Sequence, residues 1–488
     1  MIPLFVYWSR NPDSLFLGII SNTIVMNRFV LPLVSFVLLL ISVALHPRAA
    51  NAAVDSSRYT LTLDDAVHLG LSKSRALEIA RLDREMASEK IRETWSEVLP
   101  QLSTSFTYTR TLQPSVLFFP DVFSSPANPN SFIPLEISAD NSASATLDLR
   151  QKLFDGSAIA GIRAASVVRK ISDESYRNTR SAVVADIKQA YFDALISRDR
   201  LQLVRQSIER WGLAQRDTRA MFRQGVAADI DTLQAFLSVE NLRPDLIQAE
   251  SMVGIAMTKL KNSMGISADS DVTLTGRLEV PTASYPVDIA SAFEEALQSR
   301  SDLRQLELQV EAEDQKVFSA RSERFPVLSA FGRLETQTAF NDDVSLADSD
   351  WPVSSAVGLQ VSMPIFTGFR IGAKVEQAKI SRMQVMTRLA DLKANIRAEI
   401  EMCLSVFNEA RKRIEVQSKT IAVAERSYRI SQLRFREGIG SRLELTDAEL
   451  QLNKAKTNYL QAVYDYLMAS VLLDRALGRS GAPAELKR

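Results

Sequence analysis

The stretch "MFRQGVAADIDTLQAFL" (Met221 to Leu237) returns as "RFREGIGSRLELTDAEL" (Arg434 to Leu450), 213 residues further on. That offset superimposes Phe222 on Phe435, Arg223 on Arg436, Gly225 on Gly438 and Ala235 on Ala448. The echo is not isolated. Asp64 to Ser103 matches Ile289 to Ser329 at an offset of 226, pairing Ala66 with Ala292, Leu77 with Leu303, Lys90 with Lys316 and Pro100 with Pro326. "LDLRQKLFDG" (Leu147 to Gly156) matches "LQVSMPIFTG" (Leu359 to Gly368) at 212, and Met264-Gly265 matches Leu477-Gly478 at 213. Collinear blocks at nearly constant offsets imply a duplicated unit, tested before any fold is assigned.

Each copy runs through the same kinds of segment. A helical stretch of about 35 residues comes first and ends at Pro100 or Pro326, because proline lacks the amide and clashes with the preceding turn. Two segments with a two-residue period follow, the mark of strands. In "SASATLDLRQKLF", Ala143, Ala145, Leu147 and Leu149 share one face, against Ser144, Thr146, Asp148 and Arg150. In "VGLQVSMPI", Val357, Leu359, Val361, Met363 and Ile365 alternate with Gly358, Gln360, Ser362 and Pro364. "QLSTSFTYT" alternates too, and "VLSAFGRLE" keeps the parity weakly. Leu112 to Asn141, rich in proline and polar residues, reads as a long surface loop.

Beyond each strand pair proline nearly vanishes: none occurs from Phe369 to Leu477, and only Pro244 from Ser157 to Met264. Apolar residues step by three and four, as in Val184, Ile187, Tyr191 and Ala194, which describes helices packed on partner helices. Gly156 to Gly225 is 69 residues and Gly368 to Gly438 is 70, so either helix would reach about 100 Å at 1.5 Å per residue. The chain returns to Gly265 or Gly478 in 40 residues. Those 40 plus the leading stretch restore the long helix, so two shorter helices are expected to stack end to end beside one long one. Gly225 and Gly438 then mark a far tip where the chain reverses through a left-handed residue. Asp229 and Asp231 suit the start of the returning helix. The expected organisation is an N-terminal extension and signal over 1–52, a first repeat over 53–266, an equatorial connection over 267–287, a second repeat over 288–478 and a tail over 479–488.

Composition excludes several function classes. Lys+Arg and Asp+Glu both total 58, which gives no basic footprint for nucleic acid. One cysteine, Cys403, rules out an intramolecular disulfide, and only His46 and His68 could offer imidazole. No cofactor, metal or catalytic constellation is expected, and no enzyme. At the N-terminus, Met26-Asn27-Arg28, the apolar run Phe29 to Leu45 and Ala50-Asn51-Ala52 form a secretory signal with an A-x-A exit. A permanent anchor is the competing assignment, since 17 apolar residues fall just short of a span. Met1 and Met26 both remain possible starts.

Four strands of about 10 residues suit a tilted crossing of a bilayer, yet four cannot close a barrel. Open edges in lipid would leave amides and carbonyls unpaired at several kcal/mol each, so several chains would have to pool their strands. The alternative is a small sheet on a periplasmic coiled-coil scaffold or adaptor without a membrane barrel.

"YTLTLDDAVHLGLSKSRALEIARLD", the exits Pro100-Gln101-Leu102 and Pro326-Val327-Leu328, the "MPIFTG" turn and the paired tip phrases together resemble the TolC-type outer-membrane efflux duct family, from about Tyr59 to Gly478. The resemblance implies an α+β membrane protein: a homotrimer with a 12-stranded outer-membrane β-barrel, four strands per chain, continuing into a periplasmic α-helical coiled-coil tunnel. It implies the channel component of a tripartite efflux or type I secretion system, docked on a periplasmic adaptor (membrane fusion protein) and an inner-membrane pump of ABC, RND or MFS type. Leu147, Leu149, Leu359 and Val361 would face outer-membrane lipid. Arg223, Gly225, Val226, Arg436, Gly438 and Ile439 would form the adaptor-docking tips. "VTLTGRLEVP", the residues just after the signal and those beyond Gly478 would form an equatorial collar. Carried residue by residue, Glu444 and Asp447 would form carboxylate rings favouring cations at the periplasmic aperture. Asp231 would latch the closed end against an aromatic hydroxyl and a basic residue. Here Phe435 lacks the hydroxyl and Gly440 replaces the usual basic residue, which leaves Arg442 as the substitute.

Overall fold

The computed structural model describes residues 58–120, 132–280 and 288–479. The expected signal and extension over 1–52 lie outside those residues, as do all but Arg479 of the expected tail and the last part of the connection.

Strands β1 (Arg58–Leu61) and β6 (Asp271–Leu274) pair in parallel, which brings the expected start of the mature chain beside the "VTLTGRLEVP" segment. Where one leading helix is expected in each half, two are found. They are α1 (Leu63–Lys73) with α2 (Arg75–Ser96), and α6 (Ile289–Ser299) with α7 (Ser301–Ser322). The first break falls at Ser74, whose extended backbone lets its hydroxyl cap α2 by accepting from the Leu77 amide at 3.4 Å. The second falls at Arg300, whose mostly buried guanidinium reaches Asp302, Glu399 and the Ala476 carbonyl. Arg479, beyond Gly478, folds back on Glu295 of α6 at 2.6 Å.

Four strands form one antiparallel sheet in the order β2 (Gln101–Arg110), β5 (Asn141–Phe154), β7 (Val327–Phe340), β8 (Val353–Ser362). The central β5–β7 pairing joins the two halves of the chain, and β2 and β8 are edges. Two expectations need correction. The connection from Leu112 is not wholly a loop: β3 (Val116–Pro120) pairs with β4 (Phe132–Glu136), two short apolar runs that proline density hides in the sequence. The last strand does not continue to Ile365 but stops at Ser362, ahead of Pro364, which has no amide for the ladder.

The long helices are α3 (Gly156–Arg223) and α8 (Arg370–Arg436), 68 and 67 residues, hence about 100 Å each. The chain returns through α4 (Asp229–Glu240) and α5 (Arg243–Met264) in the first half and through a continuous α9 (Arg442–Ala476) in the second. The first return leg breaks at Asn241 and Leu242 because Pro244 is accommodated only in the opening turn of a helix. Helix α7 and then α9 occupy the space between α3 and α8, while α2 and then α5 lie on α3's other flank. That is the expected stacking of two shorter helices beside one long one.

The main core gathers where α1, α3, α5, α6, α8 and α9 meet, around Ile187, Tyr191, Leu260, Ile396, Ile400 and Leu473, all essentially inaccessible. Nearer the tips, a small apolar cluster of Tyr428, Phe435, Leu445, Ala448 and Leu452 fills the α8–α9 seam. Within its span lies a polar contact. Glu449 of α9 is buried and accepts from Arg210 Nε at 2.9 Å and from Ser207 Oγ at 3.1 Å, both on α3. Burial pushes the Glu449 carboxyl up, against the opposing pull of Arg210.

A buried charge left without its partner is the costly case, and removing both charges is not. Glu449→Leu alone is therefore expected to lower stability by about 3–5 kcal/mol, with Arg210→Met plus Glu449→Leu recovering most of that. Denaturant unfolding of the detergent-solubilised protein checks this through the double-mutant cycle; additive losses would show that the two groups are not coupled.

Candidate functional site

The tips are built by two helix ends of the same design. Gly225 (φ 74°) and Gly438 (φ 72°) are left-handed, and no atom lies within 4 Å of where a Cβ would sit on either. Backbone conformation, not space, demands glycine there. The next amides, of Val226 and Ile439, donate back to the Met221 and Arg434 carbonyls at 2.9 and 3.0 Å, which satisfies acceptors that the helix end exposes. Val226 and Ile439 are left on the outside of each turn, as are the side chains of Arg223 and Arg436. Arg436 holds Asp217 of α3 at 3.3 Å.

Gly440 is glycine for a different reason. A Cβ would lie 2.9 Å from the Arg434 Cβ and 3.0 Å from the Phe435 amide nitrogen, and the Gly440 amide itself donates to the Arg434 carbonyl at 2.9 Å. A basic side chain has no room there.

Arg442 reaches across from the start of α9 to α4 of the same chain. Its Nη1 donates to the Asp231 main-chain carbonyl at 2.8 Å and its Nη2 to Ser238 Oγ at 3.2 Å. The Asp231 carboxylate is engaged otherwise, accepting from the Ala228 amide at 3.1 Å at the head of α4. Partial burial holds the Arg442 guanidinium below its ordinary value. Phe435 is not at a surface: it is buried in the α8–α9 cluster, so within the chain it acts as packing. An aromatic hydroxyl does occur one heptad above it. Tyr428 is buried too, and that burial pushes its hydroxyl up, helped by the nearby Glu449 charge.

Glu444 and Asp447 lie three apart on the first turns of α9, both exposed. The Ser441 hydroxyl caps this helix through the Glu444 amide at 3.1 Å, and the Glu444 carboxylate stands 3.7 Å from Arg434. Among the described residues no ion pair reaches Asp447. Sequence reasoning missed Arg434, Ser441 and the Arg210–Glu449 pair. For the last there was a signal: Glu449 sits among Leu445, Ala448 and Leu452, at seam spacing, where a carboxylate demands a partner.

At the other end, the strand register places all four proposed lipid-facing residues on one face. Leu149 stands opposite Leu102 and Gly332, Leu147 opposite Thr104 and Leu334, Leu359 opposite Ala330 and Val361 opposite Leu328. Phe106, Val353 and Val357 share that face, and Val357 is 90% exposed. The other face carries Ser103, Thr146 and Gln360, with an Asp148–Arg333 pair at 2.8 Å across β5 and β7.

Among the described residues, no helix is long and apolar enough to cross a membrane, and no group of His, Cys, Asp or Glu could hold a metal ion.

The Outer membrane efflux protein family model matches residues 66–266 and 292–479. The chain is 22% identical to outer membrane protein TolC of Escherichia coli K12 over 403 residues, covering 81% of this chain and 78% of the relative. It is 23% identical to the alkaline protease secretion protein AprF of Pseudomonas aeruginosa, covering 66% of this chain and 67% of that one. Its fold superimposes on the Campylobacter jejuni CmeC outer membrane channel with a TM-score of 0.68 at 18% identity, over 86% of each chain. The family match spans both halves of the chain, strands and helices alike, and the protein is accordingly an outer-membrane protein of the efflux type with its helices in the periplasm: the chain belongs to the outer membrane efflux protein family.

Proposed function

We propose that three copies close one 12-stranded barrel and that their helices continue it as a periplasmic tunnel, a passive duct for substrates delivered by an inner-membrane pump of ABC, RND or MFS type through a periplasmic adaptor. One observation carries this reading. The sheet has a continuous apolar face and two unpaired edges, β2 and β8, that no other strand of the described chain covers. In a membrane those edges need partners, and three copies can supply them in a ring, β8 of one against β2 of the next.

The helices support the same arrangement. The free flank of α8 exposes Met402, Val416, Val423 and Ile430 at multiples of seven residues, a seam without a partner in its own chain. Leu233, Leu237, Ile247 and Ile255 are exposed along α4 and α5. Each seam is the natural cover for the other on a neighbouring copy. The two halves of the chain, 53–266 and 288–478, are in this reading repeats joined by the connection over 267–287, and the segment over 1–52 directs export and is removed.

At the closed end, Glu444 and Asp447 form two carboxylate rings and Arg442 holds α9 to α4 in place of the family's usual basic residue. Arg223, Gly225 and Val226 with Arg436, Gly438 and Ile439 present six such tips for adaptor docking. AprF is named for secreting a protease, and TolC is an outer membrane protein. The cargo of this chain is either small molecules or protein. It performs no catalysis in this reading. The alternative, a periplasmic scaffold without a barrel, has no use for a sheet face this apolar.

Two outcomes are expected. Leu359→Arg with Val361→Arg places charge on the lipid face, at roughly 2–4 kcal/mol per side chain near mid-membrane, and should abolish assembly in the outer membrane. Carbonate-washed membranes that retain the variant like the parent would favour the scaffold. In planar bilayers, Asp447→Asn should reduce cation selectivity, and more so than Glu444→Gln, because Arg434 already offsets Glu444. Selectivity unchanged in the double variant would remove the carboxylate rings.

A further inference from the structure

We propose that the cavity where α7 and α9 meet end to end beside α3 binds a phosphate-class dianion, inorganic phosphate or a small phosphate monoester, held between Arg180 and Arg475. The site is formed within one chain and goes beyond the duct, which needs no ligand of its own.

The cavity measures about 390 Å³, a size typical of small-molecule sites. The guanidiniums of Arg177, Arg180, Arg300 and Arg475 line it, against the carboxylates of Asp302 and Glu399. Arg300 takes both carboxylates, Asp302 at 2.7 Å and Glu399 at 2.6 Å, and donates to the Ala476 carbonyl at 3.1 Å. Arg177 holds Glu174, one turn behind it on α3, at 3.1 Å. That leaves Arg180 of α3, half-buried, and Arg475 of α9. Among the described residues no ion pair or side-chain hydrogen bond reaches either of them. Two like charges thus converge on one cavity without an anion between them.

Two comparisons inside the molecule mark the arrangement as unusual. The adjoining cavity is just as cationic, with Arg84, Lys170 and Arg304, yet each of those has its carboxylate: Asp173 at 3.1 Å, Glu311 at 3.9 Å and Glu307 at 2.9 Å. The helix break of the first half is closed by Ser74, whose hydroxyl caps α2. In the second half α7 starts behind Arg300 with no side-chain cap, and its first residues, Ser301 and Asp302, line the cavity. An uncapped helix start adds to the pull on an anion. The two unmatched guanidiniums call for a double negative charge. Phosphate supplies it on one atom, with oxygens enough to accept from α3 and α9 together. Lipid headgroups are not the source, because the 22 residues of α7 set the cavity about 33 Å from the strands.

The test titrates inorganic phosphate into the full-length, detergent-extracted protein by calorimetry, in buffer free of phosphate and sulfate, with sodium chloride at matched ionic strength as the blank. Saturable binding of one phosphate per chain is expected, with a melting midpoint that rises with phosphate and not with chloride. Arg180→Gln with Arg475→Gln should weaken binding at least tenfold. Arg84→Gln with Lys170→Gln, in the adjoining cavity, should change it less than twofold. Because neither Arg180 nor Arg475 has a partner among the described residues, the unliganded midpoint of their double variant should match the parent's. Heats no different from those of chloride would overturn the proposal. So would binding that survives the loss of Arg180 and Arg475, or that falls equally in the control pair. A lower unliganded midpoint in the first variant would make the two guanidiniums structural ties and overturn it too. Glutarate bound in preference to phosphate would reassign the cavity to a carboxylate and overturn the phosphate class.

Discussion

An open antiparallel sheet has two edges, and hydrocarbon offers nothing to pair with them. That constraint shapes the rest of the molecule. Strands β5 and β7 satisfy each other in the middle, which binds the two halves of the chain into one surface, but β2 and β8 keep one unpaired side each. Each unsatisfied backbone group in lipid costs several kcal/mol, so the sheet makes sense in a membrane only as a segment of something larger. The side chains agree: an apolar face of Leu147, Leu149, Leu359 and Val361 against a polar face bridged by Asp148 and Arg333.

The helices inherit the geometry of those strands. Two helices of about 100 Å cannot be stabilised by one compact core, and the buried residues are accordingly distributed. A large cluster lies where the stacked helices meet, and smaller ones line the seams toward each end. In the seam toward the tips, helix α9 is tied to α3 by Arg210 and Glu449 rather than by hydrocarbon alone. A buried pair adds little net stability over apolar packing but penalises any slip of one helix along the other. Nearer the tip the ties are an exposed pair, Arg436 on Asp217, and the part-buried Arg442 on the Asp231 carbonyl.

Much of this was legible in the sequence because it rests on periodicity and on glycine. Alternation located β5 and β8, the absence of proline located α3 and α8, and Gly225 and Gly438 marked the reversals that are left-handed in the structure. Local patterning was blind where a tertiary partner decides. The break at Arg300 depends on Glu399 and the Ala476 carbonyl, 99 and 176 residues away. The β3–β4 ribbon is two five-residue runs lost among prolines. Phe435 looked like a tip residue by position, yet the α8–α9 seam buries it, and Gly440 excludes a side chain only because the Arg434 turn passes so close.

The claim on which the proposed duct depends is that separate chains complete one another's sheet edges. The mass of the detergent-extracted protein, by light scattering with the bound detergent subtracted, tests it most directly. Three chains per particle is the predicted result. A single chain per particle, or a monomer that stays in solution when detergent is withdrawn, would contradict it.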